Sequence, residues 1–164
     1  MKERILNIDD LTFMRWGNED GFEAEIGWVG LKLRSRKLGF NVTVVAPGKR
    51  AFPFHAHHGN EEMFLILEGR GSIRIGDGKH AVRQGDFISL PPGPDSGHQI
   101  INDSDASLRY LAVSTMEVPE VVEYPDSRKF GMLTGAPGGR PAPDGAIRHF
   151  TRVEDGVDYW KGEE

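Results

Sequence analysis

Residues 48–69 read GKRAFPFHAHHGNEEMFLILEG and contain three of the six histidines of the chain. Two of them, His55 and His57, are separated by one residue, and side chains two positions apart in a β-strand point to the same face. Two imidazoles on one face can converge on a single ion. Paired histidines can also be packed in a core or lie at the surface, so the pair alone leaves a metal site and a structural role both open.

Two carboxylates follow the histidines after a short turn at residues 59–60. Adjacent residues of a strand point to opposite faces, so only one of Glu61 and Glu62 is expected to share the face of the histidines. The next residues, 63–67, are apolar throughout, and their periodicity does not choose between the two glutamates. A later histidine, His98, supplies a fourth donor if the strand that it opens lies alongside.

Turn-forming residues divide positions 38–115 into about eight short strands. The chain has 21 Gly and 10 Pro. The glycine content is well above average usage, but glycine and proline together stay below the content that is typical of low-complexity disorder. Turn signals recur roughly every 8–12 residues, as in sandwiches and barrels, and no long helix is predicted. The sequence therefore predicts an all-β fold, a double-sheet jelly roll whose strand at 63–67 is covered on both faces.

Composition divides the chain into three parts. Residues 1–37 are expected to form an N-terminal extension that packs on the barrel, residues 38–115 the barrel, and residues 116–164 a C-terminal extension. Within the last part, the glycine- and proline-rich segment 135–145 is expected to be a flexible loop. Five apolar residues beyond it are candidates to pack back on the body: Ile147, Phe150, Val157, Tyr159 and Trp160.

Composition also excludes several classes of protein. The absence of cysteine excludes disulfides, thiolate zinc sites, iron–sulfur clusters and cysteine nucleophiles. The N-terminus lacks the apolar segment of a secretory signal, and no apolar run is long enough to span a membrane, so a cytoplasmic protein is expected. A formal net charge of -5 without an evident basic face argues against binding to nucleic acid.

Two motifs in the sequence resemble those of the cupin superfamily. The first, G-x5/6-H-x-H-x3/4-E-x6-G, is matched at Gly48, His55, His57, Glu62 and Gly69. Its final glycine selects Glu62 over Glu61. The second, G-x5-P-x-G-x2-H-x3-N, is matched at Gly85, Pro91, Gly93, His98 and Asn102. The second motif departs from the pattern because four residues, not two, separate Gly93 from His98.

The resemblance implies a double-stranded β-helix, the cupin barrel, with His55, His57, Glu62 and His98 as ligands of a metal ion inside it. It implies a supporting role in a turn for Asn102. Three imidazoles and one carboxylate suit a divalent transition metal (Zn, Mn, Fe, Ni or Co), and the sequence does not choose among them. Residues 122–129 are also similar to a segment of small single-domain bacterial cupins, some of which are labelled sugar-phosphate isomerases.

Three functions are compatible with such a barrel, each with a small-molecule substrate or ligand. The leading hypothesis is a metal-dependent isomerase or epimerase of a sugar or sugar phosphate, with Glu61 as candidate general base. The alternatives are an iron-dependent dioxygenase of a small organic substrate and a non-catalytic barrel that binds a small ligand. Residues that could neutralise a phosphate group are Arg34, Lys37, Lys49, Arg50 and Arg74.

A homodimer is the expected assembly. In an extended strand, Phe52 and Phe54 would lie on the face opposite His55 and His57. An apolar outer face on a barrel strand suits a partner subunit.

Overall fold

The computed structural model describes residues 4–18, 20–135 and 144–163. Its strands are β1 (Met14–Gly17), β2 (Glu23–Gly27), β3 (Leu38–Val45), β4 (Ala56–His57), β5 (Glu62–Glu68), β6 (Arg70–Ile75), β7 (Gly78–Arg83), β8 (Phe87–Leu90), β9 (His98–Ile101), β10 (Leu108–Thr115), β11 (Glu120–Tyr124), β12 (Lys129–Leu133) and β13 (Arg148–Arg152). Helix α1 (Val29–Lys32) is one turn long. Among the described residues, no helix has the length and apolar character that a membrane crossing requires.

The strands form three antiparallel sheets. The largest has the order β1-β2-β3-β10-β5-β8, the second β13-β12-β11-β4, and the third β7-β6-β9. Eight strands, β3 to β10, fall between residues 38 and 115. The predicted all-β fold with about eight short strands in this region is confirmed.

One apolar core holds the barrel together. Buried side chains of the six-stranded sheet, such as Phe64 and Tyr110, belong to the same cluster as Ile73 and Ile100 of the three-stranded sheet. In strand β8, exposed and buried residues alternate, so that one face of this strand enters the core. Two sheets that share one core in this way form the predicted double-stranded β-helix.

Both extensions add strands to these sheets. Strands β1 and β2 continue the six-stranded sheet beside β3. Strand β11 pairs with β12 and also with β4, where Val122 lies opposite His57. The C-terminal extension therefore lies directly against the segment that carries the histidine pair.

The expected packing of the C-terminal apolar residues is wrong for the residues after β13. Val157, Tyr159 and Trp160 are 70–81% exposed, and Ile147 and Phe150 are also exposed in part. β13 is the edge strand of its sheet, and the residues after it form turns that pair with no strand in the described chain. The loop expected at 135–145 lies mostly outside the described residues, which omit 136–143.

The apolar outer face expected at Phe52 and Phe54 is also wrong. Only Ala56–His57 is a strand here, so residues 52–54 present no regular outer face. Phe54 is buried beneath the guanidinium of Arg74, whose Cζ lies 3.8 Å from the ring centroid, and Phe52 packs against the core. The homodimer stays a prediction, without this argument for it.

Candidate metal centre

The backbone places the two histidine segments side by side. The N–H of His55 donates to the carbonyl of His98 over 3.1 Å, and the N–H of His98 donates to the carbonyl of His55 over 2.8 Å. This reciprocal pair is an isolated antiparallel bridge, and it holds the two imidazole centroids 4.5 Å apart. The strand opened by His98 therefore lies alongside His55, as the metal-site hypothesis requires.

Three of the four predicted ligands meet at one point. One donor atom each of His55, Glu62 and His98 lies within 4.8 Å of the others. Glu62 is the first residue of β5, and its Oε2 lies 3.1 Å from Nε2 of His98. The side chains of His98 and Glu62 are 3% and 14% exposed, so the meeting point is inside the barrel.

The fourth predicted ligand, His57, lies at the edge of this group. Its Nε2 is 3.6 Å from Oε2 of Glu62, and its ring centroid is 5.1 Å from that of His55. Its other nitrogen, Nδ1, lies 3.7 Å from Oε1 of Glu120. The Glu62 carboxylate is thus near both His57 and His98, and His57 has a second carboxylate behind it.

Backbone carbonyls fix the orientation of two imidazoles. Nδ1 of His55 lies 2.8 Å from the carbonyl of Pro53, and Nδ1 of His98 lies 3.0 Å from the carbonyl of Ser96. Because a carbonyl only accepts, each Nδ1 carries the proton of the neutral ring and leaves Nε2 with a free lone pair. Carbonyl contacts of this kind orient metal-binding histidines in proteins.

Buried atoms without hydrogen-bond partners show that the cluster fits a metal ion. Among the described residues these atoms are Oε2 of Glu62 and Nε2 of His98, which face each other, and Nδ1 of His57, which faces Glu120. Such atoms are uncommon in native proteins, since most buried polar groups are hydrogen-bonded. In the neutral tautomer of His98, two acceptors face each other at 3.1 Å, and a cation bound by both would satisfy them. Nitrogen and carboxylate donors are those that divalent first-row metals take.

The electrostatics of the cluster keep the donor atoms of His55 and Glu62 free of protons. Burial, aided by the charge of His98, lowers the pKa of His55 to about 3. Burial alone would raise the pKa of Glu62, but the imidazoles of His98 and His57 outweigh it and lower that pKa to about 2. For His57, burial is outweighed by the carboxylates of Glu120 and Glu62, which raise its pKa. His55 and Glu62 are therefore ready to act as ligands at neutral pH.

Glu120 is a residue of the site that the sequence analysis missed. It is 1% exposed, and its Oε1 accepts from the N–H groups of His58 and Gly59 over 3.1 and 3.3 Å. The side-chain amide of Asn60 donates to its other oxygen. Glu120 thereby joins the C-terminal extension to the loop that follows His57. It lies outside both motifs, and no local pattern indicates that β11 pairs with β4.

Aromatic rings flank His55 on two sides. The ring of Tyr124 stacks on it with centroids 6.0 Å apart and planes 25° apart, and Phe52 meets it edge-on at 6.3 Å. Burial raises the pKa of the Tyr124 phenol, against an opposing effect of Arg148. The phenol is therefore protonated at neutral pH and available as a hydrogen-bond donor.

The remaining predicted site residues lie elsewhere. Glu61 is exposed, and its N–H donates to Oγ1 of Thr115, so its role as a base stays a prediction. Of the cations proposed for a phosphate group, two are engaged by carboxylates: Arg74 with Asp126 at 2.8 Å and Lys49 with Glu23 at 3.5 Å. The other three are Arg50, whose guanidinium lies over Phe22, and Arg34 and Lys37, which are exposed before β3.

A cavity of about 420 Å³ lies away from this cluster. It is lined by residues of β6, β7 and the loops beside them, among them Arg70, Val82, Arg83 and Ser104. None of the four predicted ligands lines it. The donor chemistry of the histidine–glutamate cluster, not the size of a cavity, is what marks the candidate site.

Comparison with known sequences agrees with this architecture. A family model described as a cupin domain matches residues 41–114. An uncharacterised protein of Methanocaldococcus jannaschii is 38% identical over 60 residues, which cover 37% of this chain and 46% of that protein. The matched region thus spans less than half the length of this curated relative.

Two solved structures share nearly the whole fold. A candidate sugar phosphate isomerase of Acidithiobacillus ferrooxidans aligns with a TM-score of 0.78 and 21% identity over 94% of this chain and 95% of its own. A cupin-superfamily sugar phosphate isomerase of Silicibacter pomeroyi aligns with a TM-score of 0.74 and 23% identity over 92% and 93%. At such identities the likeness establishes the fold, extensions included. Residues 41–114 match the cupin-domain family, and the chain has the cupin fold.

Proposed function

We propose that this protein is a metal-dependent isomerase or epimerase of a small sugar or sugar phosphate. The observation that carries the proposal is the buried cluster of His55, Glu62 and His98, whose facing nitrogen and oxygen atoms lack partners in the described chain. His57, with its Nε2 3.6 Å from Glu62, completes the set of ligands. The names of the two similar solved structures support the choice of substrate class.

A divalent ion bound here would supply Lewis-acid polarisation of a carbonyl and its neighbouring hydroxyl group. The protein's own residues do the rest. Tyr124 and Phe52 flank His55 and limit the access of water, and the Tyr124 phenol can donate a hydrogen bond to a substrate oxygen. The proton that moves between neighbouring carbons needs a base, and Glu61 keeps that predicted role.

Solvent deuterium provides the test, because an isomerase or epimerase of this kind exchanges a carbon-bound proton. The protein is purified without added metal, its metal content is measured, and it is then loaded with Mn²⁺, Zn²⁺ or Fe²⁺. Each form is incubated in D₂O with a panel of aldose and ketose phosphates and followed by NMR. We expect metal-dependent isomerisation or deuterium incorporation that is lost in His55→Ala.

His58→Ala is the matched control for this experiment. His58 belongs to the same sequence cluster, but its Nε2 pairs with Glu123 at 3.0 Å on the exposed face. It is expected to retain the wild-type metal content and turnover. Metal-replete protein that exchanges no proton across the panel would refute the isomerase, and oxygen uptake by the iron form would instead favour the dioxygenase.

A further inference from the structure

The small sheet of the C-terminal extension presents one face toward the metal cluster. Residues that lie opposite each other across antiparallel strands share a face. His57 of β4 lies opposite Val122, which lies opposite Gly131, which lies opposite Phe150. Residues two positions along each strand share this face, so it also carries Tyr124 on β11 and Arg148 on β13.

Two aromatic rings, those of Tyr124 and Phe150, form an aromatic wall that runs along this face away from His55. Tyr124 stacks on His55, and the ring of Phe150 lies 6.1 Å from the ring of Tyr124. The Phe150 ring lies next to Gly131, where an added Cβ would come within 2.5 Å of it. Glycine at this position therefore lets the wall continue from the cluster to the outer strand of the sheet.

Two cationic side chains, those of Lys129 and Arg148, lie beside the aromatic wall. Nζ of Lys129 lies 5.0 Å from the centroid of the Tyr124 ring, and Cζ of Arg148 lies 5.7 Å from the centroid of the Phe150 ring. Arg148 also lies close enough to Tyr124 to influence its phenol electrostatically. Both positive charges are thus next to residues that lead directly to His55.

Neither cation is neutralised in the described part of the chain. Lys129 and Arg148 form no ion pair there, whereas Arg152 on the same face pairs with Glu154. Arg74 and Lys49, which the sequence analysis considered for a phosphate, are also paired. Two unpaired cations beside an aromatic wall form a surface suited to an anionic group attached to a small, partly apolar body.

We propose that Lys129 and Arg148 form an anion subsite that binds the phosphate group of a phosphorylated sugar. The carbon chain of that sugar would lie along Tyr124 and Phe150, with its carbonyl end at the cluster of His55, Glu62 and His98. This inference rests on the proposed function and specifies its substrate as a phosphomonoester. Guanidinium and ammonium groups both bind phosphate through charge-assisted hydrogen bonds.

Calorimetric titration of the full-length protein tests the subsite without relying on turnover. The probes are ribose 5-phosphate, ribose and inorganic phosphate, each titrated into wild type, Lys129→Gln, Arg148→Gln and the double variant. We expect ribose 5-phosphate to bind at least ten-fold more tightly than ribose. Each single variant is expected to bind ribose 5-phosphate about ten-fold more weakly than the wild type does, and the double variant more weakly still. The affinity for ribose is expected to stay unchanged in all three variants.

Arg152→Gln is the control, because Arg152 lies on the same face but is engaged by Glu154. It is expected to bind ribose 5-phosphate as the wild type does. Inorganic phosphate distinguishes a general phosphate site from one that also needs the sugar. We expect inorganic phosphate to bind more weakly than ribose 5-phosphate, and its binding to depend on Lys129 and Arg148 in the same way. Circular dichroism of each variant shows whether the fold is retained.

The outcomes separate the subsite from the proposed reaction. Binding of ribose 5-phosphate that depends on Lys129 and Arg148, without proton exchange by the metal-loaded protein, would support the subsite and refute the isomerase. Equal affinity of wild type and double variant for ribose 5-phosphate, including no binding to either, would overturn the subsite. Exchange activity on sugar phosphates with an unchanged KM in the double variant would overturn the subsite and support the isomerase.

Discussion

Oxygen Oε2 of Glu62 is the atom that the cluster shares, since it lies 3.1 Å from Nε2 of His98 and 3.6 Å from Nε2 of His57. The motif spacing predicted this glutamate because a fixed number of residues leads from it to the turn at Gly69. The carbonyls of Pro53 and Ser96 that orient His55 and His98 could not be predicted, because they depend on loop conformations. At this scale the sequence predicts which side chains carry the donor atoms, and the loops determine how those side chains point.

Asn102 is a second residue whose role the motif predicts but whose partners depend on the fold. Its side-chain amide donates to the carbonyls of Val45 and Ala106 over 2.7 and 2.8 Å, and its Oδ1 accepts from the hydroxyl of Ser104. The residue holds the turn that follows β9, which confirms the supporting role implied by the resemblance. Its partner on β3, however, is remote in sequence and could not be predicted.

Replacing Glu62 with glutamine should abolish tight metal binding. The substitution keeps the size of the side chain but removes the negative charge that offsets the ion. Loss of an outer-shell partner typically costs 10–100-fold in metal affinity, so loss of a ligand should cost about 100-fold or more. Calorimetric titration with Zn²⁺ measures the effect, and Glu61→Gln, at the exposed neighbouring position, should bind as the wild type does. Equal losses in the two variants would contradict this assignment.

Two glycines of the first motif should respond differently to alanine. Gly69 has φ +82°, and an added Cβ would come within 2.3 Å of the Ser107 carbonyl oxygen, whereas Gly48 has φ +74° and no atom within 4 Å of that position. Gly48→Ala should therefore cost about 1 kcal/mol of unfolding free energy for the backbone conformation alone. Gly69→Ala should cost about 3 kcal/mol or more, because a clash with backbone is added. Urea denaturation measures both, and equal costs would show that the close contact at Gly69 is relieved cheaply.

At the scale of secondary structure, the strands could be predicted from the sequence, but one strand pairing that builds the site could not. The strands β3 to β10 could be predicted because alternation and turn residues are local properties of the sequence. The pairing of β4 with β11 joins residues about 65 positions apart, and nothing local specifies it. That pairing brings Glu120 behind His57 and Tyr124 beside His55, so the part of the site that was missed is the part built by a non-local pairing.

Truncating Glu120 should destabilise the fold strongly. Glu120→Ala leaves the N–H of Gly59 without its acceptor, whereas the N–H of His58 keeps the carbonyl of Val121 and the amide of Asn60 keeps the carbonyl of Glu117. One unpaired buried donor costs about 1–3 kcal/mol, and two further hydrogen bonds are lost, so a total loss of about 2–3 kcal/mol is expected. Thermal and urea denaturation measure it, with Glu123→Ala as control, since the exposed Glu123–His58 pair should contribute about 0–1 kcal/mol. Similar losses in both variants would refute the structural role of Glu120.

At the scale of the whole molecule, the C-terminal extension has two parts with different roles. Strands β11 and β12 pair toward the barrel and form one wall of the site, whereas residues 157–163 are exposed. From the sequence, the apolar residues beyond the segment 135–145 are candidates to pack back on the body. Their hydrophobicity indicated burial, but the residues after β13 have no strand to pair with in the described chain.

Truncation should separate these two parts. Removing residues 156–164 should leave the unfolding temperature nearly unchanged, because these residues are largely exposed. Removing residues 116–164 should lower it sharply and reduce metal binding, because β4 loses its neighbour and His57 loses Glu120. Differential scanning calorimetry of both truncated chains checks the prediction, and a stable, metal-binding chain that ends at Thr115 would contradict it.

Anomalous diffraction at the absorption edge of the bound metal tests the central claim most directly, with crystals of protein grown with Mn²⁺ or Zn²⁺. The account predicts one strong peak at about 2.0–2.3 Å from Nε2 of His55, His57 and His98 and from a carboxylate oxygen of Glu62. A peak held by other residues, or no peak at this cluster at saturating metal, would contradict it.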